Sequence, residues 1–123
     1  MKHIEYISLW SFVFEEINDQ GRKLDITDRI VKTGDIIVYM ELGFKNGKPK
    51  VKNGKPVPPG YTGRICVREV EQMLAPYPGL EKRFRAVVFK PSEATTEIKE
   101  KTSEMMRKLD KEGGYIPLPT SLS

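Results

Sequence analysis

The segment that most constrains the fold of this chain is residues 21–38. Residues 22–28 alternate polar and apolar side chains, which is the period-two pattern of a β-strand with one face toward a core. Leu24 and Ile26 are therefore expected to face the core. The polar side chains of the other face are Lys23, Asp25 and Thr27. A cation, a carboxylate and a hydroxyl on one strand face form either a recognition site or a catalytic one.

Length and composition limit the classes of protein that fit. A chain of 123 residues suits one domain with one core. No apolar run approaches the roughly 20 residues that a membrane-spanning helix needs, and the N-terminus lacks the features of a signal peptide. With one cysteine, Cys66, and one histidine, His3, we expect no disulfide, no metal centre and no cofactor. A reducing, cytoplasmic setting is the expectation.

The hydrophobic pattern predicts the order strand, helix, strand, strand, arm, strand, strand, helix. The expected elements are strands at 3–7, 22–28, 36–42, 61–74 (bulged near 69–70) and 84–90, and helices at 8–20 and 92–112, the second N-capped by Ser92. Turn-joined strands favour a mixed or antiparallel sheet. We expect an α+β fold in which about five strands curl into an open β-barrel closed at one end by the first helix.

The arm, residues 43–60, is the strongest electrostatic feature of a chain whose net charge is +4. It contains Lys-Asn-Gly-Lys-Pro twice, which is typical of turns and of a hairpin. No acidic residue lies between Leu42 and Arg68, and the lysines of the arm are Lys45, Lys48, Lys50, Lys52 and Lys55. Such a segment either contacts phosphates or is the solvated tip of a hairpin.

Aromatic and thioether side chains allow two interpretations each. Trp10 and Tyr61 either stack on a nucleobase or pack in the core. The pair Met105–Met106 on the last helix either docks on a partner protein or covers the sheet. Arg22 and Arg29, which flank the alternating strand, are candidate phosphate contacts.

Several motifs together resemble the ASCH family of the PUA-like superfamily. They are Ile7-Ser8-Leu9-Trp10, Gly21-Arg22-Lys23 before an alternating strand, Thr33-Gly34-Asp35-Ile36-Ile37, Gly60-Tyr61 and Pro78-Gly79. The resemblance covers residues 4–91, the expected barrel domain 1–91, and leaves a helix and irregular tail at 92–123. It implies an open barrel of five to six strands with a cleft beside the first helix. In that family the cleft binds RNA, nucleotides or modified nucleosides.

Some small members of that family resemble acetylcytidine amidohydrolases, in which a lysine, a threonine and a glutamate act on an amide. Lys23 matches the lysine, but Ile26 stands at the threonine position with Thr27 beside it. The helical insertion that supplies the glutamate is replaced by a short loop at 75–83. Asp25, two residues from Lys23, keeps a lysine charged and favours an anion anchor, although the two can also form an ordinary surface ion pair.

The sequence therefore predicts an RNA- or nucleotide-binding PUA-like domain. The base would lie beside the first helix near Trp10, Lys23, Asp25 and Thr27, and the arm lysines with Arg22 or Arg29 would hold phosphates. One alternative is an amidohydrolase that uses Lys23 on an acylated nucleoside. Another is a viral or accessory interaction module that docks on a host protein through its C-terminal helix.

Overall fold

The computed structural model describes residues 3–44, 51–52, 54–56, 60–74 and 84–111. The elements are β1 (Ile4–Trp10), α1 (Ser11–Asn18), β2 (Leu24–Thr27), β3 (Ile36–Gly43), β4 (Val51–Lys52), β5 (Lys55–Pro56), β6 (Gly60–Leu74), β7 (Arg85–Pro91) and α2 (Thr96–Lys111). Within this part of the chain, no helix has the length and apolar character needed to cross a membrane.

The main sheet has five strands in the order β1-β3-β6-β7-β2. β1 runs parallel to β3, and the remaining neighbours are antiparallel. The sheet curls into a half-barrel, and with the two helices it forms a small α+β fold. The predicted α+β class and the predicted mixed sheet are therefore confirmed. In place of the expected open barrel, the sheet forms a half-barrel.

The most apolar strands lie inside the sheet. Every residue of β3 is buried, because β1 and β6 flank it and a helix packs on each of its faces. β7 lies between β6 and β2, as its two apolar faces predict, and Val87 and Phe89 are buried. Continuous apolar runs are typical of strands covered on both faces.

Each face of the sheet has its own core. On the concave face, Val13, Phe14 and Ile17 of α1 pack with Ile7 and Tyr39. The opposite face is covered by α2: Ile98 packs with Val38 and Val67, and Met106 packs with Met40 and Leu42. The interpretation of the methionine pair as a cover for the sheet is thus confirmed, since Met106 is buried and Met105 packs beside it.

The first helix is shorter than its pattern predicts. It begins at Ser11, not at residue 8, because Ser8–Trp10 continue β1 in register with Met40–Leu42. The Ser11 hydroxyl donates a 3.1 Å hydrogen bond to the Leu42 carbonyl, which fixes the start of α1 against β3.

The last helix also starts later than expected. The Ser92 backbone N–H is held by the Val67 carbonyl of β6, so the predicted cap lies beside the sheet. Thr95 is the N-cap instead, since its Oγ1 accepts a 3.2 Å hydrogen bond from the Ile98 N–H.

The arm and the bulge were recognisable in the sequence. The β6–β7 register shifts between Val70 and Gln72, which confirms the predicted irregularity. β4 and β5 pair as a hairpin within the arm, around Gly54 with φ near 74°. The predicted loop at 75–81, the helix end at 113–114 and the tail at 115–123 lie outside the described residues.

Candidate binding site at the end of the first helix

The polar face of β2 is the face that the protein buries. Asp25 and Thr27 are 0% and 1% exposed, whereas Leu24 and Ile26 are half-buried. The alternation of this strand is as predicted, but the expectation that its apolar residues face the core is wrong. The concave side accepts Asp25 because a phenol from β3 lies there to hydrogen-bond it.

That phenol belongs to Tyr39, whose hydroxyl donates a 2.8 Å hydrogen bond to Asp25 Oδ2. Burial raises the pKa of Tyr39 well above its usual value, and the neighbouring Asp25 carboxylate raises it further. The phenol therefore stays protonated and remains a donor, and the carboxylate remains its acceptor.

Arg22 lies at the mouth of this buried pair. Its guanidinium donates a 2.9 Å hydrogen bond to Glu16 Oε2 and lies 3.9 Å from Asp25 Oδ1. The Arg22 N–H also donates to the Glu16 carbonyl, in a turn where Gly21 takes the left-handed φ of 70°. The end of α1 and the start of β2 thus position this side chain from two directions.

Lys23 follows Arg22 and is exposed. Its carbonyl accepts the Phe89 N–H, so its backbone is fixed to β7 while its side chain is open to solvent. Strand alternation puts Lys23 on the same face as Asp25. Asp25 is fully buried, however, so an ordinary surface ion pair between these two residues is not what the structure shows.

β6 contributes a further cation to the same region. The Arg68 guanidinium donates to the backbone carbonyls of Ile17 and Val67, at 3.1 and 3.0 Å, so these contacts leave its positive charge uncompensated. The Ile17 carbonyl belongs to the last turn of α1, where the helix dipole favours a cation. We call this region the helix-end cluster; its members are Arg22, Lys23, Asp25, Tyr39 and Arg68.

A second polar group lies nearby on the concave side. Glu41 is buried and accepts a 2.6 Å hydrogen bond from the Thr62 hydroxyl. Arg64 lies 3.6 Å from Glu41, donates to Asp19 at 2.8 Å, and stacks 5.2 Å from the centre of the Phe14 ring. The Arg64 guanidinium thus meets a carboxylate from the end of α1 and one from β3, which indicates a structural tie between α1, β3 and β6.

The structure separates three other predicted site residues from this cluster. Trp10 and Tyr61 pack on the α2 side of the sheet, and the Tyr61 hydroxyl is 2.7 Å from Ser8 Oγ. Because β1 extends through Trp10, its even-numbered side chains face α2 and not the concave side. Arg29 instead binds Glu5 at 2.9 Å, near the start of β1.

The remaining predicted residues belong to β2 and to the arm. The Thr27 hydroxyl is buried and accepts the Arg29 N–H at 3.1 Å, so it caps a turn. Lys45, Lys48 and Lys50 lie outside the described residues, and Lys52 and Lys55 are described as backbone of β4 and β5.

Two members of the cluster were not predicted as site residues. Tyr39 is the one polar side chain within an otherwise apolar run from Ile36 to Met40, and a phenol there is a signal for a buried hydrogen bond. The other is Arg68. The period-two pattern of β6 places Arg68 on the same strand face as Cys66, which is part of the core beneath α1. The chain matches no protein-family model and no curated protein, so the cluster and the fold carry the functional argument.

Proposed function

We propose that this protein is a PUA-like domain that binds RNA or a nucleotide through the helix-end cluster. The observation that carries the proposal is the position of two cations at the end of α1: the exposed Lys23, and Arg68, whose hydrogen bonds at 3.0 and 3.1 Å go to backbone carbonyls. An ammonium and a guanidinium in one region can bind an anionic ligand. Arg22 is already hydrogen-bonded to Glu16 and lies 3.9 Å from Asp25, so it supports the turn and adds little positive charge of its own. The half-barrel with α1 on its concave face agrees with the architecture that the ASCH resemblance implies.

In this proposal the phosphate is bound mainly by Lys23, and Arg68 adds positive charge at the end of α1. Glu16 holds Arg22 at the start of β2 with a 2.9 Å hydrogen bond, and a fixed turn lowers the entropy lost when a ligand binds. The arm lysines extend the contact along a polynucleotide, and such contacts give affinity more than sequence specificity.

The test is fluorescence anisotropy with a labelled RNA of mixed sequence and, separately, with a labelled nucleotide. Binding of the RNA should weaken steeply when salt rises from about 50 to 200 mM, because bound phosphates release counterions. Lys23→Ala should weaken binding by about tenfold, the loss of roughly one charge-assisted contact.

The matched control is Lys99→Ala, since Lys99 is an exposed lysine on α2. Its effect should stay within about twofold, as is typical of a surface charge remote from a site. A flat salt response, or equal losses from the two lysine variants, would contradict the proposal.

A further inference from the structure

β1 forms one edge of the main sheet. Among the described strands it pairs with β3 alone. The Ile36 N–H donates to the His3 carbonyl at 2.9 Å. In a parallel pair, alternate residues direct both backbone groups toward the same neighbour. The backbone groups of Glu5 and Ile7 therefore point toward β3, and those of Ile4 and Tyr6 point away from it.

A hollow of about 780 Å³ lies between this edge and α2. Its apolar lining comes from both elements and consists of Ile4, Tyr6, Met105 and Leu109. A second hollow, of about 540 Å³, lies on the other face of β1, beside Glu5 and Arg29. His3 lines both hollows. If another strand paired with β1 at this edge, its alternate side chains would therefore have space on both faces of the sheet.

We propose that an extended segment of a protein partner adds to the sheet beside β1, in the groove between that edge and α2. The backbone groups of Ile4 and Tyr6 supply the pairing, and every second side chain of the segment enters the apolar hollow. An edge strand flanked by a helix is an arrangement that recognises peptides by strand addition. This interaction is independent of the helix-end cluster, which lies at the end of α1.

The charge of the groove indicates the character of the segment. Lys101 and Lys108 line it together with one carboxylate, Glu104. The Lys101 ammonium is already paired with Glu97 at 2.8 Å, so Lys108 is the cation that an acidic residue of the segment would meet. Lys108 lies about one helical turn beyond Met105, and residues on one face of a strand recur about every 6.7 Å, a distance that a lysine side chain can span. An apolar residue over Met105, with an acidic residue two positions away toward Lys108, therefore matches this groove.

The probe is a fluorescein-labelled peptide, Thr-Glu-Thr-Leu-Thr-Glu-Thr, and its partner is the full chain. We expect saturable binding, and a peptide with lysine in place of glutamate should bind at least about tenfold more weakly. Two further peptides are N-methylated at alternate amides: the first at residues 2, 4 and 6, the second at residues 3, 5 and 7. In an added strand only one of these two sets of N–H groups faces β1. The peptide methylated on that set should therefore lose about tenfold in affinity, and the other about twofold or less.

Two protein variants locate the contact. Lys108→Glu should weaken binding of the glutamate peptide by about tenfold, and Lys99→Glu, at an exposed position of α2 outside the groove, should change it by less than about twofold. The amide protons of Ile4 and Tyr6 should exchange rapidly in the free protein and slowly in the complex. Those of Glu5 and Ile7 should be slow in both.

Four outcomes would overturn the inference. They are no binding of the glutamate peptide, equal losses from the two methylated peptides, equal losses from the two lysine variants, and slow exchange at Ile4 and Tyr6 before peptide is added. If the slow exchange appears only as the protein concentration rises, the occupant is a second copy of this chain and not a partner peptide.

Discussion

The hydroxyl of Tyr39 donates a 2.8 Å hydrogen bond to the carboxylate of Asp25, although their strands are not neighbours. β6 and β7 lie between β3 and β2 in the sheet. In a flat sheet, strands three positions apart are separated by about 14 Å. The two side chains meet because the sheet curls and both project into its concave side. This contact therefore ties the two ends of the curve together.

Replacing Tyr39 with phenylalanine should destabilise the protein by about 1–3 kcal/mol, because it leaves a buried carboxylate without one of its donors. Urea unfolding measures the change. Tyr6→Phe is the control, since Tyr6 is half-buried on the other face of the sheet and should cost less. Equal stability of the wild type and Tyr39→Phe would show that the bond contributes nothing net.

The same phenol predicts how stability changes in alkali. Burial and the Asp25 carboxylate raise the pKa of Tyr39 above 10.0, so the folded state holds this proton to a higher pH than the unfolded state does. The contribution is complete below about pH 10 and is lost as the pH rises toward the folded pKa. Urea unfolding across this range should show a shallower decline for Tyr39→Phe than for the wild type.

Cys66 adds a separate alkaline effect. Burial raises the pKa of its thiol from 9.0, so its contribution begins to fall near that pH. In a plot of the free energy of unfolding against pH, Cys66→Ala should therefore reduce the alkaline decline from a lower pH than Tyr39→Phe does. Identical profiles for the two variants and the wild type would contradict both assignments.

Gly43 and Ser11 should show strong coupling. A Cβ at Gly43 would overlap the Ser11 hydroxyl, which is held by its bond to the Leu42 carbonyl. We expect Gly43→Ala to cost about 1–3 kcal/mol through overpacking. In the double variant Ser11→Ala/Gly43→Ala the added cost should be smaller, because the overlapping oxygen is gone. A double-mutant cycle by urea unfolding measures this, and additive costs would argue against the overlap.

The start of α2 offers a comparison of two hydroxyls. Thr95→Ala should destabilise the protein by about 0.5–2 kcal/mol, since it removes the acceptor for the Ile98 N–H. Ser92→Ala should have a smaller effect, because the described role of Ser92 is through its backbone. Thermal unfolding of the two variants distinguishes the caps, and a larger loss from Ser92→Ala would reverse the assignment.

We expect no release of cytidine when the protein is incubated with acetylcytidine. Ile26 supplies no hydroxyl at the position of the family threonine, and the Thr27 hydroxyl is buried and already accepts the Arg29 N–H. Chromatography of the nucleosides measures the reaction. Turnover that disappears in Lys23→Ala would establish the amide hydrolase and overturn this expectation.

The sequence predicted the elements better than their ends. The apolar run at 36–42 and the two faces of 84–90 were sufficient to identify buried strands, because such runs are specific to covered sheet positions. Local periodicity did not reveal that Ser8–Trp10 belong to β1. Their pairing with β3 is set by a strand about thirty residues away, and tertiary pairing overrides local helical spacing.

The site shows a different limit. Alternation correctly grouped Asp25 with Thr27, yet hydrophobicity assigned the wrong face of β2 to the interior. The deciding partner, Tyr39, is on β3, which follows β2 along the chain but is separated from it in the sheet by β6 and β7. Arg22 and Lys23 could be proposed from the Gly21–Lys23 turn, but the role of Arg68 depends on how β6 approaches α1.

The pairing of β2 with β7 has a consequence for synthesis of the protein. β2 ends at Thr27, and its neighbour in the sheet begins at Arg85. During translation, β2 therefore cannot pair with β7 until residues 85–91 have been synthesised. Such distant pairing slows folding and exposes early strands to aggregation. A chain terminated before Arg85 would consequently lack the strand to which the backbone of Lys23 is hydrogen-bonded.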